Sequence, residues 1–82
     1  MKINITPMNK DGQRHGYWEY YFSNGNLSFK GNYINGEIHG PWEWYNSDGH
    51  LYSKGYYVNG NRNGYWEIYD CNGKLEAKQY YI

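Results

Sequence analysis

The sequence predicts an all-β protein: an antiparallel meander of three stacked β-hairpins, six strands in all, preceded by a short N-terminal half-repeat strand. The 82 residues include 12 Tyr, four Trp and 11 Gly, a composition typical of strands and turns. The chain also repeats itself every 24 residues. Each repeat places Asn-Gly or Asp-Gly between two apolar-alternating runs, which is the strongest short-range signal for a hairpin.

The 24-residue period holds without a break. Aligned residues include the glycines Gly16, Gly40 and Gly64, the tryptophans Trp18, Trp42 and Trp66, and the lysines Lys30, Lys54 and Lys78. This alignment divides one domain into a half-repeat at 1–11 and full repeats at 12–35, 36–59 and 60–82.

Each repeat is expected to form one hairpin. A two-residue turn at residues 24–25 places Glu19 opposite Lys30 and Trp18 opposite Gly31. Opposite charges across strands stabilise a sheet, and a Trp side chain can cover the gap left by a cross-strand glycine. The links between hairpins, which begin at Asn-Gly and end at Gly40 or Gly64, are short and therefore favour one continuous meander.

The two edges of the sheet are predicted to differ. Residues 2–9 align with the second strand of a repeat and are expected to cap the N-terminal edge, where Pro7 is tolerated. The last strand, residues 74–82, is expected to be an open edge. An open edge can add to the sheet of a partner or form a homodimer.

Alternation along the strands assigns two faces. The core face is expected to collect Tyr20 and Phe29 and the structural core residues of the repeats, namely Trp18, Leu27, Tyr33, Trp42, Leu51, Tyr57, Trp66, Leu75 and Tyr81. Aromatic residues also fill the opposite face, which is unusual for a solvent-exposed surface. The candidate partner-binding set is Tyr17, Tyr21, Tyr45, Tyr52, Tyr56, Tyr65, Tyr69 and Tyr80, with Trp44 as an anchor from a variable core position. Tyr and Trp are typical hot-spot residues of protein interfaces.

Charge and composition weigh against several classes of function. Eight basic residues balance eight acidic ones, so the chain lacks the field that concentrates nucleic acid or anionic membranes. The N-terminal residues lack the apolar run of a signal peptide, which predicts a cytoplasmic protein of a bacterium or a phage. Carbohydrate or lipid-headgroup binding by the aromatic platform and self-assembly as a structural repeat remain as alternatives.

Catalysis, metal binding and cofactor binding are not expected. His15 and His39 occupy equivalent loop positions about 9.5 Å apart, too far to share a zinc ion. A row of glutamates faces lysines that keep it ionised, whereas a general acid needs a raised pKa. Cys71 has no neighbouring cation in sequence to activate it.

The repeat G-x-x-x-G-x-W-E-x-Y-x-x-x-G-x-L-x-x-K-G-x-Y resembles the bacterial variant of the MORN repeat over residues 12–82. This resemblance implies a single-layer, twisted sheet that serves in binding rather than chemistry. Members of the family act as protein-interaction scaffolds, and bacterial arrays are often labelled antitoxin components. The resemblance and the small size favour an inhibitor or neutraliser, of an antitoxin or phage anti-defence type. Gln79 departs from the pattern, since it replaces the glycine found at Gly31 and Gly55.

Overall fold

A computed structural model describes residues 2–82 and confirms the predicted fold class. Six strands form one antiparallel sheet in which sequential strands are neighbours. The strands are β1 (Gly16–Tyr21), β2 (Leu27–Ile34), β3 (Glu37–Tyr45), β4 (Leu51–Val58), β5 (Asn61–Tyr69) and β6 (Leu75–Tyr81). The Cα atoms extend over 40 × 37 × 11 Å, so the sheet is a single layer. None of the described residues forms a helix that could span a bilayer.

The hairpin turn within each repeat is longer than the sequence suggested. In the first hairpin, the Phe22 amide donates to the Asn26 carbonyl at 2.8 Å, and the Gly25 amide donates to the Phe22 carbonyl at 2.9 Å. Gly25 has a φ of 90°, the left-handed conformation of a bulge that follows a type I turn. The same two bonds recur in the second and third hairpins. The prediction of a two-residue turn at residues 24–25 is therefore wrong.

A β-bulge beside each turn restores the predicted register. Tyr21 pairs with Leu27, whereas the preceding residue, Tyr20, pairs with Phe29. One extra residue therefore lies in the second strand. Beyond the bulge, the first and second hairpins carry the predicted Trp–Gly and Glu–Lys pairs, and the third pairs its Trp with Gln79.

The links between hairpins are themselves tight turns. Asn35 has a φ of 47° and Gly36 a φ of 93°, the left-handed combination of a two-residue type I′ turn. Residues 59–60 adopt the same conformation in the second link. Strand β3 consequently begins at Glu37, directly after the turn, rather than after Gly40 as predicted. Successive hairpins therefore pair along most of their length.

Residues 2–9 lie along the outer side of β1, where the second strand of a preceding repeat would be. The backbones of Ile5 and Glu19 exchange hydrogen bonds of 2.9 and 3.0 Å. Met8 forms a second bridge with Arg14. The segment thus reaches the expected edge, where it is joined by isolated bridges rather than by a continuous ladder.

The core is a line of aromatic rings on one face of the sheet, here called the Trp face. Its buried members are Trp18, Tyr33, Trp42, Tyr57 and Trp66. Consecutive rings along this line meet edge to face, with centroids 5.0 to 6.0 Å apart. Such pairs contribute about 0.5–1.5 kcal/mol each beyond the area that they bury. Tyr81, expected in the core, is partly buried against this line.

Trp42 and Trp66 each cover the glycine of the preceding repeat. A Cβ atom built on Gly31 would lie 2.0 Å from Cε3 of Trp42, and one on Gly55 would lie 2.3 Å from Cδ2 of Trp66. The prediction that each Trp covers the glycine of its own hairpin is therefore wrong. Within the described sheet no strand follows β6, so no tryptophan covers Gln79 and a side chain fits there.

The three repeat leucines do not belong to this core. Each one pairs across its hairpin with a tyrosine of the opposite face, and paired residues share a face. The bulge therefore moves them to the other side of the sheet, and the prediction that they are core residues is wrong for Leu27, Leu51 and Leu75. Leu75 is 50% exposed. Tyr20 also departs from the expectation, because it lies on the Trp face but is 42% exposed.

Candidate functional site

The face opposite the tryptophans, here called the Tyr face, carries most of the large exposed apolar side chains. Exposure reaches 70% for Tyr65 and 62% for Tyr80. Cross-strand pairing places seven of the predicted partner-binding tyrosines on this face, namely Tyr17, Tyr21, Tyr45, Tyr56, Tyr65, Tyr69 and Tyr80. Tyr52 is the unpaired residue of the bulge in the second hairpin and is 54% exposed. Whether they bind a partner stays a prediction. Their arrangement makes the Tyr face the candidate interaction surface.

Trp44 cannot contribute to that surface. Its ring packs on the Trp face, 5.5 Å from the ring of Trp42 and 5.4 Å from that of Phe29. Its indole N–H donates to the Tyr57 hydroxyl at 3.3 Å. Because the sheet is one layer, the two faces point in opposite directions. The combination of Trp44 with the tyrosines in one binding surface is therefore wrong.

A row of alternating charge crosses the Tyr face. From β1 to β6 it consists of Glu19, Lys30, Glu43, Lys54, Glu67 and Lys78. The shortest ion pairs join neighbouring repeats, with Lys30 Nζ 3.5 Å from Glu43 and Lys54 Nζ 3.7 Å from Glu67. A third pair lies within the last hairpin at 3.9 Å. Such exposed pairs contribute about 0.2–1 kcal/mol each. The row therefore orders the surface more than it stabilises the fold.

Tyrosine hydroxyls bind the carboxylates of this row. The hydroxyls of Tyr17 and Tyr21 each donate to Glu19 at 2.6 Å. Tyr45 and Tyr69 make the equivalent bond to the glutamate two residues earlier, at 2.5 and 2.6 Å. These bonds hold the phenol rings in fixed orientations, so little side-chain entropy remains to be lost when a partner binds.

The same hydrogen bonds shift the titration of both groups. The pKa of Glu19 is lowered, mainly by the bonds from Tyr17 and Tyr21, and the pKa of Glu67 is lowered mainly by the bond from Tyr69. Partial burial, followed by the bond to Glu19, raises the pKa of Tyr17 to about 12. A general acid needs a raised carboxyl pKa, so these carboxylates are poorly suited to donate protons.

A shallow groove of about 340 Å³ interrupts the tyrosines in the middle of the Tyr face. It exists because Pro41 stands where the first and third repeats have Tyr17 and Tyr65. The groove is lined by Pro41, Trp42, Glu43, Lys54, Gly55, Tyr65, Glu67 and Lys78. Pro41 is not among the predicted site residues, although the loss of a tyrosine at one of three aligned positions is a signal that the sequence contains.

The histidines have structural contacts. Nδ1 of His15 accepts a hydrogen bond from the Asn35 amide at 3.0 Å, and Nδ1 of His39 accepts one from the Asn59 amide at 3.4 Å. Each ring thereby supports the link to the next repeat. Over residues 2–82 no group of three His, Cys, Asp or Glu side chains is placed to hold a metal ion. Cys71 is an exposed free thiol in the last hairpin turn.

Three copies of one hairpin, with aligned residues in equivalent places and an exposed aromatic face, define a tandem β-hairpin repeat protein. The chain belongs to the MORN repeat variant family, whose repeat matches residues 14–35, 38–59 and 62–82. The resemblance drawn from the sequence is thus confirmed. Repeats of this family are typically non-catalytic binding modules. A search of curated proteins found no match.

Proposed function

We propose that the chain is a small cytoplasmic protein-binding module that neutralises another protein by covering its surface with the Tyr face. In this proposal it is an inhibitor of the antitoxin or phage anti-defence type. The supporting observation is the concentration of exposed tyrosines on one face of a thin sheet. Contiguous exposed apolar surface commonly marks an interaction site, and Tyr is enriched among the residues that dominate binding energy.

The exposed tyrosines supply contact area at low entropic cost. Tyr65 and Tyr80 pack against each other with ring centroids 4.7 Å apart, yet both remain more than half exposed. Tyr17, which is 41% exposed, is anchored by its hydrogen bond to Glu19. Rings held in this way present rigid amphipathic surface, which is what hot-spot residues provide.

Affinity capture from cells of the source organism tests this proposal. The native chain is expected to enrich one dominant protein, and the Tyr65→Ala plus Tyr80→Ala variant is expected to lose it. Tyr20→Ala serves as the matched control, because Tyr20 is 42% exposed on the opposite face. Full capture by the double variant, with its fold intact by circular dichroism, would refute the Tyr face as the binding surface.

A second candidate is strand addition at β6, supported by the exposure of Leu75 and Tyr80 on the last strand of the sheet. Unpaired backbone groups on such an edge can bind an extended segment or the same edge of another copy. Tyr80→Pro is expected to abolish that association and leave the first two hairpins folded. Association that survives this substitution would exclude the edge.

A further inference from the structure

Two neighbouring rows of the Tyr face alternate between two residue types from strand to strand. In the charge row, odd-numbered strands carry Glu and even-numbered strands carry Lys. In the next row, odd-numbered strands carry Tyr21, Tyr45 and Tyr69, and even-numbered strands carry Leu27, Leu51 and Leu75. In these two rows, any operation that exchanges odd and even strands brings unlike residues together.

A two-fold axis parallel to the strands, lying above the gap between β3 and β4, performs this exchange. When two Tyr faces meet about this axis, β3 of one copy lies over β4 of the other. Glu43 of the first copy then faces Lys54 of the second copy, and Lys54 of the first copy faces Glu43 of the second copy. In the next row Tyr45 faces Leu51. An axis running across the strands would instead place every strand over itself, with Glu on Glu and Lys on Lys.

We propose that two copies of this chain stack with their Tyr faces together about the axis parallel to the strands. The contact is isologous, as in most homodimers, because each residue pair occurs twice. This inference rests on the proposed function for its choice of face. It names a second copy as the occupant of the Tyr face when no other protein is bound there.

The dimensions of the sheet suit such a dimer. Stable interfaces bury roughly 800 Å² per partner, and a face of 40 × 37 Å exceeds that requirement. Aligned sheets pack about 10 Å apart with their strands rotated by about 30°. This rotation displaces the outer strands most, so the central contact between Glu43 and Lys54 best preserves its register. The buried tryptophans stay on the outer side of the stack.

Single charge reversals at the central contact test the proposal. In a homodimer of Lys54→Glu, both symmetric contacts become Glu against Glu, and in a homodimer of Glu43→Lys both become Lys against Lys. Each variant alone is expected to dissociate at least about tenfold more readily than the native chain. When the two variants are mixed in equal amounts, both contacts become Glu against Lys. The mixture is therefore expected to recover dimers, as measured by analytical ultracentrifugation.

Two controls separate this contact from a general effect of charge. Lys74→Glu and Asp11→Lys make the same changes in net charge at exposed residues of turns. Both controls are expected to dimerise like the native chain. Circular dichroism checks that each reversal variant keeps its sheet, since each also loses ion pairs with neighbouring strands.

The proposal is overturned if the native chain remains monomeric at the highest attainable concentration, if the reversals leave dimerisation unchanged, or if mixing fails to restore it. Dimerisation through β6 would be insensitive to both reversals, because β3 and β4 lie inside the sheet. The proposed function is tested separately by capture. A chain that dimerises without capturing a target refutes only that function, whereas one that captures without dimerising refutes only this inference.

Discussion

Replacing Gly55 by alanine tests whether the ring of Trp66 is the reason that this position is a glycine. Gly55 lies in a strand interior with no left-handed φ, so its backbone suits alanine. Considered alone, strand propensity predicts that alanine stabilises the sheet by about 0.5–1 kcal/mol. The packing predicts the opposite sign, because the added Cβ would lie 2.3 Å from two atoms of the indole ring.

Trp66 has little freedom to move away from that methyl group. It is 1% exposed, its ring lies 5.0 Å from that of Tyr57, and its indole N–H donates to the Tyr56 carbonyl at 3.1 Å. Overpacking at a constrained site costs about 1–3 kcal/mol. After subtraction of the propensity gain, Gly55→Ala is expected to destabilise the chain by about 1–2 kcal/mol.

Urea unfolding followed by tryptophan fluorescence measures this difference. Gln79→Ala is the matched control, because residue 79 occupies the same place in the last repeat and no tryptophan lies over it. The control is expected to change the free energy of unfolding by less than about 0.5 kcal/mol. A Gly55→Ala variant as stable as the native chain, or a control with an equal loss, would refute the packing argument.

Four further predictions test the core, the titration of two side chains and the links. Trp66→Phe is expected to cost about 1 kcal/mol more than Trp42→Phe in urea unfolding, because only the former removes an indole hydrogen bond; the Nε1 of Trp42 has no partner among the described residues. Equal losses would contradict this. The pKa of Glu19 is lowered on folding from an ordinary 4.5. The Glu19 carboxylate therefore stabilises the folded state above that pH, and this stabilisation is lost as the pH falls through the lowered pKa. Acid unfolding of Glu19→Gln is therefore expected to depend less on pH below about 4.5 than that of the native chain, and parallel profiles would argue against this. The pKa of Tyr17 is raised to about 12, so the stability that its protonated hydroxyl contributes is lost as the pH rises through that value. In a pH titration, Tyr17→Phe is expected to remove a phenolate absorbance step at about pH 12 rather than near the ordinary pKa of 10. Asn59 holds a left-handed φ of 49°, so Asn59→Val is expected to cost about 1–2 kcal/mol in thermal unfolding while Asn59→Gly costs little. Similar effects of both substitutions would count against the turn assignment.

Much of the fold was predictable because the register depends on repeated pairs. Glu19 opposite Lys30 and Trp18 opposite Gly31 were both predicted correctly. The turn was not, since Asn-Gly suits a two-residue type I′ turn and also a type I turn followed by a bulge. This choice decides whether Leu27 faces the tryptophans or the tyrosines. Strand alternation assumes a ladder without a bulge, and it therefore predicts Leu27 on the Trp face, whereas Leu27 lies on the Tyr face.

The candidate site was predicted in composition more than in geometry. The tyrosine positions follow from alternation along regular strands, so their common face could be predicted. The combination of Trp44 with them is wrong, because a residue at a core position of a single-layer sheet points away from the face that the tyrosines occupy. The direction in which Trp42 lies depends on its side-chain torsions and on the bare backbone of Gly31. The repeat pattern includes both residues, but it does not determine whether the ring of Trp42 lies over the preceding strand or over the following one.

Because Trp42 and Trp66 each pack on the glycine of the preceding repeat, the packing of a hairpin is completed only by the repeat that follows it. Lengthening the array would therefore require insertion of new units ahead of the one that carries Gln79, which is suited to the final place. A unit appended after it would meet a side chain where its own ring must rest. The order of the repeats is thus directional, because a glycine at this position suits an interior repeat and the glutamine at position 79 suits the last one.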